Sequence, residues 1–359
     1  MSRLLLALSS TLVCVATIEM YLRLAQPGSV HALDNAAFTR PSQLPGQTWE
    51  LIPHAGNPHF VGGPVSINEH GLRGPSFELN KTAGTYRILA VGDSVTFGYG
   101  VADDAGFARQ LGSRLDVPGM QVEVLNAGLP GAGLSYYRES VQRWCSRVDA
   151  DLVLVNLVLN DIAVYPGTPP QPAPTRAAAA PALAPVLARS YAYTRGFRYA
   201  KSLLYNLGVL DLGNSEGYRF AALAEPTPAT EVAWTSSLAV LAQVVDRTAA
   251  CGAPLVFTVF PLEMQLDPEI LSLYRDEMGL DLAADLAEMS PQRRLAAFAD
   301  ERGVPLVDLA PAFSEEPVAK LFLVGGYISR DPVHPSALGH ARAAEYLART
   351  LALWGTARP

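Results

Sequence analysis

The stretch 87-RILAVGDSVTFGYGV-101, from Arg87 to Val101, decides how this chain is read. Ile88 to Val91 form an apolar run of strand type that breaks at Gly92-Asp93-Ser94. Continuous Val, Ile and Leu is the pattern of a parallel strand covered on both faces. In an open parallel sheet, reactive groups collect beyond the C-terminal ends of the strands. A serine on that tight turn would point into the crevice, with Gly92 and Gly98 letting the backbone bend sharply. Asp103 is expected to open a helix soon after. Taken alone, the motif is explained equally well by Ser94 capping the helix that follows.

Working outward, runs of the same kind recur. "YRILAVG" (86–92) is followed by "QVEVLNAG" (121–128), "DLVLVNLVL" (151–159), "APLVFTVF" (253–260) and "VPLVDLA" (304–310). Between them lie segments of helical period. Leu134, Tyr137, Val141, Trp144 and Val148 share one face, as do Trp234, Leu238, Leu241, Val245 and Thr248. The last helix carries Leu338, Ala341, Ala344, Leu347 and Leu351, with Ser336 as its N-cap after Pro335. Alternating strands and helices predict a three-layer α/β/α sandwich around a five-stranded parallel sheet, doubly wound like flavodoxin. This domain is expected over 86–359. An insertion at about 162–230 starts Pro/Ala-rich and has helical potential from Tyr191 to Leu210; it reads as a lid, a partner surface or plain decoration over one sheet edge.

Ahead of the domain, residues 26–85 are rich in Pro, Gly, Asn and His and show no sustained period, so an irregular lead-in is expected. Before that, Leu4 to Ile18 carries no charge and follows Arg3. This is the pattern of a secretory signal or signal anchor within residues 1–25, and it is short for an ideal span of ~20 residues. An uncleaved anchor is the preferred reading, a cleaved signal the second and a buried helix the third. Val13 before Cys14 argues against a lipoprotein. Either of the first two readings places the domain outside the cytoplasm, anchored to a membrane or secreted.

The composition, 49% hydrophobic and 17% charged over 359 residues, is that of a folded protein able to bury a core. A net charge of −7 without any Lys/Arg cluster gives no footprint for nucleic acid. Cys145 and Cys251 show no metal or redox spacing; a disulfide between them is possible in an exported protein, while buried thiols at helix ends are the favoured reading. His54 and His59 match no zinc spacing. No cofactor or metal is called for.

Three further segments carry polar residues at strand ends. "NAGLPGAG" offers Gly128 and Gly131, whose backbone N–H groups can face a ligand or merely serve a tight turn. "VLND" places Asn160 and Asp161 at the end of the third strand, where an amide N–H can donate to a developing oxyanion or simply hold a loop. "RDPVHPSALGH" sets Asp331 and His334 three residues apart before the final helix, close enough for the carboxylate to orient the imidazole. Asp93 and Asp161 read as loop supports, His340 as a surface residue of the last helix, and Arg73 in "INEHGLRGP" as a weak candidate for substrate contact.

"GDSVTFG", "NAGLPGAG", "LND" and "DPVHP", in this order from Tyr86 to Leu351, resemble the four blocks of the SGNH (GDSL-type) hydrolase superfamily. The lead-in segment is similar to those of its membrane-anchored bacterial members. The resemblance implies Ser94 as nucleophile, His334 as general base and then acid, and Asp331 as its orienting partner. It also implies an oxyanion hole from the N–H of Ser94, the N–H of Gly131 and the side chain of Asn160. Gly131 is preferred to Gly128 because it stands five residues after Asn126, where the block places its donor. Val95 replaces the motif's Leu, and Leu159 stands where the third block usually has Gly.

The implied activity is cleavage of carboxylic, including acetyl, esters of a lipid, a glycan or a small molecule through an acyl-enzyme. The alternatives are an O-acyltransferase that hands the same acyl group to a polysaccharide hydroxyl, and a non-catalytic binding module on the same fold.

Overall fold

A computed structural model describes residues 10, 13–21, 37–42, 47, 49–58, 62–162, 222–277, 282–323 and 331–356. The five expected strands form one sheet. They are β5 (Thr85–Gly92), β6 (Gln121–Gly128), β7 (Leu152–Val158), β8 (Leu255–Phe260) and β9 (Leu306–Asp308), in the order β6-β5-β7-β8-β9. Every pairing is parallel. Ile88 to Val91, Val153 to Val155 and Phe257 are each fully buried, which is why these runs carry no polar alternation. The chain starts its sheet at β5 and adds neighbours on either side of it. The crevice of this doubly wound sheet therefore opens at the C-terminal end of β5.

The flanking helices are α1 (Ser94–Phe97), α2 (Phe107–Arg114), α3 (Leu134–Trp144), α4 (Pro228–Cys251), α5 (Ser290–Glu301) and α6 (Ala337–Thr356). Helix α2 packs against α6, and α3 against α4. Local chemistry sets their ends. Thr227 caps α4 by accepting the Thr230 N–H, and Pro228 occupies the first turn, where its missing N–H costs nothing. Ser336 accepts the Gly339 N–H at the start of α6. The helix expected near Asp103 begins only at Phe107.

Cys145 and Cys251, at the ends of α3 and α4, form a disulfide with 6.1 Å between their Cα atoms. The preference for free thiols is thus corrected: packing of the two helices brings together cysteines 106 residues apart.

The lead-in is not wholly irregular. β1 (Thr39–Pro41) pairs antiparallel with β2 (Trp49–Leu51), and β3 (Gly56–Asn57) with β4 (Val65–Ser66). Phe38, Leu51, Val65 and Ile67 bury themselves against Phe97 of α1 and Leu129 beyond β6. Arg73 bridges to Asn126, so the lead-in covers the outer edge of β6. At the opposite end of β5, buried Arg87 donates to the carbonyls of Glu78, Leu79 and Val148 and pairs with Glu123 at 2.5 Å.

Residues 163–221, which contain most of the expected insertion, lie outside the described residues, as do residues 1–9, 11, 12 and His59. Among the described residues no helix is long and apolar enough to cross a membrane. His54 is an exposed turn residue in the left-handed region, with φ 61°.

Candidate active site

Strand order dictates what meets at the crevice. β5 lies between β6 and β7, so Ser94 is flanked by the glycine turn on one side and by Asn160 on the other. Ser94 is the first residue of α1, whose N-cap Asp93 accepts the Val95 N–H at 2.8 Å. The first N–H groups of a helix have no partner within it, which leaves that of Ser94 for a ligand. Gly98 ends α1 in the left-handed conformation, φ 88°, turning the chain after a single helical turn.

His334 reaches this turn from the loop before α6. Its Nε2 lies 2.8 Å from Ser94 Oγ and its Nδ1 2.7 Å from Asp331 Oδ2. The other Asp331 oxygen accepts the N–H groups of Val333 and His334, folding the segment into a tight turn that aims the ring. Burial raises the Asp331 carboxyl, but the hydrogen bonds from His334 and the two N–H groups outweigh it and hold the acid below its ordinary range. Glu263, just after β8, donates its N–H to Pro332, and Leu323 donates to the His334 carbonyl at 2.9 Å. The Tyr99 ring rests 4.7 Å from the imidazole.

Gly131 is exposed, and a Cβ there would meet nothing within 4 Å, so its backbone borders open space. Gly128 differs: its N–H donates to Asn126 Oδ1, and a Cβ would lie 2.2 Å from the Phe97 nitrogen. It is a point of close approach between β6 and α1. Asn160 follows β7 in a short 3₁₀ turn beside Asp93. Asp161 accepts from the Tyr137 hydroxyl at 2.8 Å and from the Val158 N–H at 3.0 Å, which fixes that turn. Burial pushes Asp93 up against the pull of Val95, His334 and Asn160; burial and the neighbouring Asp93 push Asp161 well above its usual range. Both carboxyls support loops, as expected.

The model of the GDSL-like lipase/acylhydrolase family matches residues 90–342. The chain belongs to that family. It is accordingly an enzyme that cleaves ester bonds. Similar solved structures include TesA, at 15% identity over 74% of this chain and 98% of that one, with a TM-score of 0.40. Axe2, an acetylxylan esterase from Geobacillus stearothermophilus, has 17% identity over 74% and 93% of the two chains, with a TM-score of 0.39. The esterase EstA from Pseudoalteromonas sp. has 12% identity over 75% and 97%, with a TM-score of 0.41. No curated protein matches the chain.

Against the family's motifs, both departures turn inward. Val95 and Leu159 are fully buried in the core, so neither side chain lines the crevice. Arg73 is also buried and does not face substrate. Its guanidinium donates to the carbonyls of Phe97, Gly98 and Val101 at 2.6–2.7 Å and pairs with Asp103 at 2.8 Å. It thereby gathers the acceptors left at the end of α1.

Asn126 does the same from the other side, donating to the carbonyls of Thr96 and Phe97. Sequence reading used Asn126 only as a marker for Gly131. The expectation of a surface His340 is corrected: the residue is 0% exposed, and its Nδ1 accepts the Phe107 N–H where α2 meets α6. Burial, with Arg73 and His334 nearby, lowers its pKa to about 3, so it stays neutral. Among the described residues no three His, Cys, Asp or Glu side chains gather as a metal site.

Proposed function

We propose that this family member is a serine esterase that works through an acyl-enzyme, with Ser94 as nucleophile. The observation that carries the reading is the unbroken series Ser94 Oγ, His334, Asp331, with contacts of 2.8 and 2.7 Å. Ser94 Oγ attacks the ester carbonyl while His334 Nε2 takes its proton. Asp331, kept ionised by its hydrogen bonds, stabilises the imidazolium. The N–H groups of Ser94 and Gly131 and the Asn160 amide receive the negative oxygen of the tetrahedral intermediate. His334 then protonates the departing alcohol, and water enters to release the acid by the same steps in reverse.

The Cys145–Cys251 disulfide supports placing the domain outside the cytoplasm, because such bonds persist in oxidising compartments.

The test is direct. Wild-type protein should hydrolyse p-nitrophenyl acetate and be labelled at Ser94 by a fluorophosphonate. The Ser94→Ala variant should lose both while keeping its circular dichroism and thermal midpoint. Wild-type turnover surviving in that variant would overturn the assignment.

A further inference from the structure

Two of the proposed oxyanion donors stand on loops that flank Ser94, and neither is anchored by its own side chain. Gly131 has none, and its φ of 73° and open surroundings leave it on an exposed turn. Asn160 has its Oδ1 buried without a hydrogen-bond partner among the described residues, so that oxygen does not fix the amide. An oxyanion hole works because its donors are in place before the charge develops. The distance between these two must therefore be set by whatever holds the two loops.

Both loops are tied to one turn of α3. Tyr136 and Tyr137 are adjacent on that helix, with their rings edge to face at 6.4 Å. The Tyr136 hydroxyl donates to the Ala127 carbonyl at 2.8 Å, reaching back across the whole glycine turn to the end of β6. Within that turn the Leu129 N–H is held by the Gly92 carbonyl, and the Ala132 N–H by the Leu129 carbonyl. Tyr137 goes the other way. Its hydroxyl lies 2.8 and 2.9 Å from the two oxygens of Asp161, whose Oδ2 also accepts the Val158 N–H. Asp161 thus closes the 3₁₀ turn with Asn160 at its centre, and Tyr137 fixes Asp161 to α3. Tyr137 is fully buried on the core face of the helix, where a Phe ring would fill the same space. What the hydroxyl adds is the bond to Asp161. Burial and the nearby carboxylates push its pKa well above the ordinary value, so it keeps its proton and remains a donor.

We propose that Tyr136 and Tyr137 are positioning residues: through α3 they set the spacing of the Gly131 N–H and the Asn160 amide across the turn that carries Ser94. The inference rests on the esterase reading and adds to it two residues that act through others.

The experiment is a cycle of hydroxyl deletions. Tyr136→Phe and Tyr137→Phe are made in the wild type and in Asn160→Ala, and p-nitrophenyl acetate hydrolysis is measured per active site titrated with a fluorophosphonate. Removing an oxyanion donor outright costs ~10²–10³ in kcat, so loosening one should cost about tenfold, with KM within about twofold. Tyr137→Phe should show that tenfold loss in the wild type and less than about twofold in Asn160→Ala, because the donor it positions is gone. Tyr136→Phe should lose about as much in both backgrounds, since it acts on Gly131. The double variant Tyr137→Phe/Asp161→Asn removes the same tie without leaving a buried carboxylate short of a donor, and it carries the test if the single variant does not fold. Wild-type kcat in Tyr137→Phe, a loss confined to KM or to the titrated fraction, or an equal loss in both backgrounds would overturn the inference. An Asn160→Ala variant with wild-type kcat would strike the oxyanion reading itself, and the inference with it.

Discussion

The two ends of β5 are built with the same device and serve different purposes. At the N-terminal end buried Arg87 collects three carbonyls and pairs with Glu123. At the C-terminal end buried Arg73 collects three carbonyls and pairs with Asp103. Arg87 ties the exit of the lead-in and the turn before β7 to the floor of the sheet. The carbonyls held by Arg73 belong to the turn that carries Ser94. A guanidinium supplies several fixed donors in a plane, so each arginine satisfies acceptors that would otherwise be buried unpaired. What separates a structural clamp from a positioning one is therefore whose acceptors it holds.

That contrast can be broken at several points. The largest effect is expected at the reactive end: Asp331→Asn should lower kcat by about 10⁴-fold with little change in stability, since it disturbs the imidazole and not the sheet. Steady-state rates and a melting curve on one preparation decide it. At the floor, Arg87→Met should cost about 3–5 kcal/mol, because Glu123 and three carbonyls lose a buried partner. Its turnover per folded molecule should match wild type, as read from urea unfolding and active-site titration.

Arg73→Met is the sharpening case. It should lower kcat by about 10²-fold, the scale of an ångström-sized displacement of a reacting group, while KM changes little. If instead it behaves like Arg87→Met, losing stability alone, the distinction between the two ends fails. Arg73→Lys should recover only part of the loss, since an ammonium cannot span three carbonyls and a carboxylate in one plane.

The smallest effect concerns His340, next to Arg73. Its folded pKa is about 3, against ~6.5 for an unperturbed imidazole. Above ~6.5 both folded and unfolded forms are neutral, and the stability is fully present. Between there and about 3 only the unfolded chain takes up the proton, so stability should fall by up to ~1.4 kcal/mol per pH unit. His340→Leu should flatten that slope in urea titrations at pH 7 and pH 5. An unchanged slope would mean that His340 is not buried as a neutral ring.

The sheet was legible because each strand is a buried apolar run bounded by turn residues, a signal carried within a few positions. Ser94, Gly131, Asn160, Asp331 and His334 were legible as candidates because each stands at a strand end or helix start. The clamps were not. Arg73 and Asn126 act through partners 24–30 residues away, and a lone arginine in "INEHGLRGP" looks the same whether it meets substrate or a row of carbonyls. The lead-in ladders are two or three residues long, too short to show a period. His340 was misread although its face is visible: it lies at helical spacing from Ala344 and Leu347, both fully buried. A polar residue type outweighed its position.

The Cys145–Cys251 bond closes a ring of chain that contains residues 163–221. A single peptide-bond cut anywhere inside that ring leaves two pieces that still migrate as one molecule until a reductant is added. Nicking by a protease would thus be invisible on a non-reducing gel, and the nicked protein could keep α3 and α4 clasped.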